Sequence, residues 1–130
     1  MIPKYRAWYK EWKEMGRVGE IRFDLDGSVF VVLFKGNFLD VSGPREKIIF
    51  MQSTGLKDKN GKEIFEKDIV DYKGRKAIVK WHGSYACFIY EFVDELKNRT
   101  AEWQPLYLSY YKFEIIGNIY ENPELLEVTE

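Results

Sequence analysis

The sequence predicts an all-β protein built as a small barrel or sandwich, and two observations carry that expectation. Trp, Tyr and Phe number 4, 9 and 9 and make up 17% of the 130 residues, and bulky rings favour pleated, half-buried surfaces where they pack across neighbouring strands. The apolar residues also fall in short runs separated by turn-forming dipeptides, a spacing that suits strands rather than alternating strands and helices. With 45% apolar and 32% charged residues, the chain has enough apolar surface to offset the entropy of ordering it, except at its ends. One cooperative unit is expected, a barrel with an appended region, because this length hardly supports two independent cores.

Residues 5–9, Tyr-Arg-Ala-Trp-Tyr, alternate small or aromatic side chains with long ones and read as a first strand, with a helical turn admitted over 10–15. Residues 21–23 and 29–34 flank Asp24-Leu25-Asp26-Gly27-Ser28, whose Asp-Gly pair permits the positive φ angles of a tight hairpin. Lys35-Gly36-Asn37 and Ser42-Gly43-Pro44 punctuate a loop, and a β-branched run resumes over 47–52. Residues 55–62 are polar and hold Asn60-Gly61, the signal for a type I′ turn. Strands are expected over 68–72 and 75–81, joined at Lys73-Gly74, with Ala77, Val79 and Trp81 together on the core face. After His82-Gly83-Ser84, residues Ala86, Phe88, Tyr90 and Phe92 share one side of a third strand, opposite Cys87, Ile89 and Glu91, which completes a meander. Residues 94–102 read as a short helix or a loop, which Pro105 prevents from continuing as helix. Further strands are expected over 106–111 and 113–116, and Asn122 can cap a final helical turn that begins at Pro123 and runs through Leu126.

A net charge of −1 argues against a generally basic protein, although the charges are uneven. Residues 1–19 carry five basic and two acidic groups, 56–80 eight and five, and 91–130 three and nine, giving +3, +3 and −6. A single cysteine, Cys87, forms no intrachain disulfide, and the first dozen residues are charged rather than an apolar leader. A cytoplasmic protein is expected. No stretch approaches the roughly 20 apolar residues that cross a bilayer, so no membrane role is expected.

Two stretches are distinctive as motifs. One is Gly55-Leu56-Lys57-Asp58-Lys59-Asn60-Gly61-Lys62-Glu63-Ile64-Phe65-Glu66-Lys67-Asp68-Ile69-Val70; the other is Ile115-Ile116-Gly117-Asn118-Ile119-Tyr120-Glu121-Asn122-Pro123-Glu124-Leu125-Leu126. Together they resemble the signatures of the YopX family, and the opening Tyr5-Arg6-Ala7-Trp8 resembles that family's start, with looser likeness over 13–50 and 91–112. The resemblance implies a phage or prophage origin, an SH3-like barrel over 53–130 and an additional amino-terminal β region over 1–52. It implies no established enzyme activity and brings no catalytic residues. Within the matching stretches Gly55, Gly61 and Gly117 suit turns or close strand approach, while Asn118 and Asn122 can bond local backbone.

The residues themselves point the same way on chemistry. With one histidine, His82, and one cysteine, Cys87, neither a two-histidine metal site nor a cysteine cluster can be built, and their spacing of five is no recognised nucleophile arrangement. The carboxylate pairs Asp24/Asp26 and Glu66/Asp68 stand at i, i+2 and could converge on a hard cation, as a metal-dependent nuclease needs. A hairpin turn and a solvated charge run give both pairs plainer roles. Gly16-Arg17-Val18-Gly19 and 55–61 lack the ending and the following helix of a phosphate loop. No catalytic residue, metal or cofactor is expected.

Two binding surfaces remain. Tyr5, Trp8, Tyr9 and Trp12 could form an aromatic patch for self-association, making the protein a homo-oligomer or a partner of phage or host proteins; an oligomer would also cover sheet edges. The alternative is nucleic acid, with Tyr72, Lys73, Arg75, Lys76 and Lys80 on a basic hairpin that tracks a phosphate backbone while rings, Trp81 among them, stack on bases. That alternative carries a tension, because Trp81 is expected on the core face while Lys76 and Lys80 point away from it.

Overall fold

A computed structural model describes residues 4–35, 37–95 and 103–127, by their backbone at 32–35, 37–42, 45 and 95. The chain is mostly β, in two antiparallel sheets, and divides into two compact units, Met1–Gln52 and Ser53–Glu130. The all-β expectation holds.

In the first unit, β1 (Tyr5–Tyr9) pairs antiparallel with β2 (Glu14–Phe23), turning through residues 10–13, where Lys13 takes φ 51°. Strand therefore resumes at Glu14, before the end of the helical turn admitted over 10–15. The Asp-Gly hairpin forms as expected between β2 and β3 (Ser28–Lys35), with Gly27 at φ 89°. The loop expected between Lys35 and Pro44 is instead β4 (Asn37–Pro44), paired to β3 over eight positions; its glycine and proline, Gly43 and Pro44, are its last two residues and leave the ladder whole. The other flank of β1 takes residues 48–52 of β5 (Ile48–Lys57). Ala7, Tyr9, Val29, Val31 and Ile48 are buried together, with Val18, Ile21 and Phe50 packed against them.

The second unit opens with residues 53–57 of β5, which pair with β6 (Glu63–Phe65). The reversal expected at Asn60-Gly61 is present but is not type I′, since Gly61 has φ 81° while Asn60 does not have positive φ. Gly61 N–H bonds to the Asp58 carbonyl at 3.0 Å and Asp58 N–H to the Lys62 carbonyl at 2.8 Å. This is a type I turn followed by a left-handed glycine, the common three-residue hairpin loop.

Strands β7 (Asp68–Tyr72), β8 (Arg75–His82) and β9 (Cys87–Phe92) form the expected meander. It is flanked by β10 (Gln104–Pro105) beside β9 and β11 (Glu114–Asn118) beside β7. Both faces of this sheet are covered. Val70, Ala77, Val79, Tyr90, Leu106 and Phe113 are buried in one cluster. Ile69, Ile78 and Val93 fill another, under Ile119, Leu125 and Leu126. A sheet buried on both sides loses the simple in-out alternation, and this is why Ile78, expected to point away from the core, is buried too.

Two expectations are corrected here. Trp81 shares the face of Ala77 and Val79 but lies beyond the end of the cluster; it is 48% exposed and packs edge-on against Phe88 at 5.0 Å. Residues 106–111 are not a strand but parts of two 3₁₀ turns, Leu106–Leu108 and Tyr110–Lys112, closed by bonds from Ser109 N–H to the Leu106 carbonyl and from Phe113 N–H to that of Tyr110. Leu106 and Phe113 are buried with Tyr110 packed against their cluster, a repeat of three to four positions that aromatic composition disguised as strand. The final 3₁₀ turn Pro123–Leu126 forms as expected, but no side chain caps it. Most of the helix or loop expected over 94–102 lies outside the described residues.

Candidate functional site

Four polar residues of the two distinctive stretches, Asp58, Asp68, Asn118 and Asn122, serve the backbone. Asp58 is 5% exposed and its carboxylate accepts three N–H groups: those of Asn60 and Lys62 at 2.9 Å within its own turn, and that of Ile115 at 3.0 Å on β11. Lys59 N–H adds a bond to the Phe113 carbonyl at 2.9 Å, so the β5–β6 turn is fastened to a segment more than fifty residues away. Asp68, 2% exposed, accepts Phe65 N–H at 2.8 Å across the β6–β7 turn. At the other end, Asn118 Oδ1 accepts Tyr120 and Glu121 N–H at 3.0 and 2.8 Å, and Asn122 Oδ1 accepts Asn118 N–H at 3.2 Å. Gly117 is required there, because a Cβ would stand 2.5 Å from Asn122 Oδ1.

Asp24 and Asp26, also considered for metal chemistry, are committed too. Asp26 Oδ1 accepts both Ser28 N–H at 2.9 Å and Ser28 Oγ–H at 2.6 Å, bonds that lower the Asp26 pKa, the hydroxyl contributing most. Asp24 pairs with Arg22 at 3.5 Å. Among the described residues, no group of three or more His, Cys, Asp or Glu could hold a metal ion. His82 and Cys87 face each other across β8 and β9. The His82 ring lies against Tyr85 and Trp103, and its Nδ1 is buried without a hydrogen bond.

The basic hairpin carries its own counter-charges. Arg75 bonds Asp94 through Nη2 at 2.9 Å and Nε at 3.3 Å, while its guanidinium lies 3.6 Å from the centre of the Phe92 ring. These contacts hold the Asp94 carboxyl below its ordinary pKa, the Arg75 hydrogen bond first among the causes. Lys80 Nζ meets Glu91 at 3.1 Å with both side chains partly buried, and Lys76 stands opposite Asp71 in register. Lys73 Nζ is 5.4 Å from the Tyr72 ring centre. Tyr72 itself packs against Tyr90, Phe92 and Phe113, with the last centroid at 5.3 Å, so its ring belongs to the core rather than to a stacking surface.

The amino-terminal rings do not share one face. Tyr5, Ala7 and Tyr9 alternate with Arg6 and Trp8 along β1, and Tyr9 is 5% exposed within the core of its unit. Trp12, 54% exposed, stacks on Tyr9 at 5.1 Å and 22°. The Tyr9 hydroxyl donates to Glu11 Oε2 at 2.9 Å, which raises the Tyr9 pKa. Tyr5 is at the surface and Trp8 half-buried on the opposite face.

A second collection of rings, which sequence reasoning did not single out, gathers at the β8–β9 turn. His82, Tyr85 and Trp103 lie mutually within 5.0 Å, Trp81 and Phe88 pair on the opposite face of the same hairpin, and residues 81–88 hold no carboxylate, lysine or arginine. Tyr85 is 67% exposed at the turn, where Ala86 takes φ 50°. The available signal was the bulky ring inside Gly83-Ser84-Tyr85-Ala86, a turn too short to bury it.

Comparison with known proteins follows the same outline. A family model described as YopX protein matches residues 4–127. Among solved structures, the crystal structure of protein EF1440 from Enterococcus faecalis is similar, with 32% identity and a TM-score of 0.62, covering 98% of this chain and 99% of that one. No curated protein matches the chain.

Proposed function

The chain belongs to the YopX family, and from that premise we propose that it is a non-enzymatic interaction module that self-associates. The observation that carries this reading is the exposure of large rings, among them Trp12, Trp81 and Tyr85 at 54%, 48% and 67%. Exposed aromatic groups, with large apolar area and few rotatable bonds, anchor protein interfaces. The uncharged β8–β9 end suits such a contact best, and Trp12 on Tyr9 offers a second. The phage or prophage origin and the SH3-like form of the second unit belong to this proposal, as does a phage or host protein as a further partner. Compensation of Arg75 by Asp94 and of Lys80 by Glu91 favours a protein partner over nucleic acid.

Sedimentation of the purified chain tests the reading. Trp81→Ala with Tyr85→Ala should lower the sedimentation mass without changing the thermal unfolding midpoint by more than about 3 °C, since exposed side chains contribute little to folding. Trp12→Ala should lower it less. A parent that is monomeric, or a mass unmoved by all three substitutions, contradicts the reading.

A further inference from the structure

An asparagine followed by a glycine is a chemically labile pair at neutral and alkaline pH. The glycine nitrogen attacks the asparagine side-chain carbon Cγ: an N–Cγ bond forms, the Cγ–Nδ2 bond breaks, and ammonia leaves with the proton that the backbone nitrogen gives up. Water then opens the cyclic imide at either carbonyl, which leaves aspartate or, with the chain rerouted through the side chain, isoaspartate. Glycine favours the attack because it has no Cβ to hinder it. Asn60-Gly61 is the one such pair in this chain.

Bulk does not shield it. Both residues are exposed, and a Cβ built on Gly61 would meet no atom within 4 Å. What the turn supplies instead is hydrogen bonds to Asp58. The Gly61 N–H, whose nitrogen would have to attack, is held by the Asp58 carbonyl at 3.0 Å. Asn60 N–H and Lys62 N–H are held at 2.9 Å by one oxygen of the Asp58 carboxylate, and Asp58 N–H closes the loop on the Lys62 carbonyl at 2.8 Å. The second carboxylate oxygen accepts Ile115 N–H at 3.0 Å, which fixes Asp58 itself. A nitrogen whose proton is engaged, in a loop held on both sides of the reacting bond, reaches Cγ only when the turn opens.

We infer that Asn60 is a latent deamidation site and that Asp58 is the clasp that keeps it closed. The rate of modification is then the rate in a free chain multiplied by the fraction of time the turn spends open. The reaction also prevents its own reversal. Isoaspartate adds one atom to the backbone between residues 60 and 61, which the three-residue loop does not accommodate, and either product places a new carboxylate close to that of Asp58. One event thereby loosens the fastening of the β5–β6 turn to β11. The inference stands apart from self-association, since it concerns a single chain.

Incubation of the full chain at mildly alkaline pH, then digestion after glutamate and mass spectrometry of fragment 47–63, reads the amide-to-acid conversion at Asn60. The folded parent should convert at least about tenfold more slowly than the same chain unfolded in urea, and Asp58→Ala at least about tenfold faster than the parent without urea. Ile78→Ala lies in the cluster under Ile119 and Leu125, loses comparable stability without touching the turn, and should convert at the parent's rate. Variants are compared where their circular dichroism matches the parent's; if Asp58→Ala does not fold, Asp58→Asn takes its place with the same outcomes. A folded parent that converts as fast as the chain in urea overturns the inference. So does an Asp58 variant that converts no faster than the parent, or no faster than Ile78→Ala.

Discussion

Asp58 shows how one buried side chain can hold distant backbone together. Its two oxygens satisfy three N–H groups, those of the exposed residues Asn60 and Lys62 and of the half-buried Ile115, and removing them costs the net value of three bonds to a charged acceptor. Asp58→Ala should therefore destabilise the chain by about 3 kcal/mol in urea unfolding, and Asp58→Asn, which keeps one acceptor oxygen, by about half as much. Gly117 sets a different constraint, of space, because a Cβ there would stand 2.5 to 3.0 Å from Asn122 side-chain atoms. Gly117→Ala should cost about 2 kcal/mol, and clearly less in an Asn122→Ala background where the crowding atoms are gone; equal costs in the two backgrounds would refute the contact. The Arg75–Asp94 pair adds a pH dependence. Because the folded Asp94 pKa lies below the ordinary 3.8, its contribution is present above that value and is lost as pH falls through the lowered folded value. Arg75→Ala should accordingly be more destabilising near neutral pH than in acid below the folded pKa. The same loss at both would detach the pair from stability.

At the scale of elements, the strands that alternate or carry an Asp-Gly or Lys-Gly reversal were legible in the sequence: β1, the β2–β3 hairpin and the β7–β8–β9 meander stand where local chemistry places them. What the sequence concealed has physical causes. Strand β4 reads as a loop because glycine and proline weigh heavily in local propensity, although at a strand's end they cost the ladder little. Residues 106–112 read as strand because rings favour sheets, while their burial repeats every three to four positions. Trp81 reads as core because its face is the core face, and only the extent of the cluster reveals that the core ends before it. The candidate surfaces were less legible than the fold, since exposure depends on what lies beyond a strand's end. Tyr9, named with the surface rings, is core, and Tyr85, overlooked, is the most exposed tyrosine described.

Over the whole molecule, polar side chains of the two family stretches tie the second unit to itself, while Trp12, Trp81 and Tyr85 are among the large rings left exposed. The same division explains why the family's distinctive residues suggest no chemistry: Asp58, Asp68, Gly117, Asn118 and Asn122 each have a structural task. Among the described residues, no helix is long and apolar enough to cross a membrane. Sedimentation velocity of the unmodified chain across a range of concentrations tests the central claim most directly. The account predicts a mass above that of one 15.5 kDa chain, rising with concentration toward a defined oligomer. A single species at the monomer mass throughout that range would contradict it.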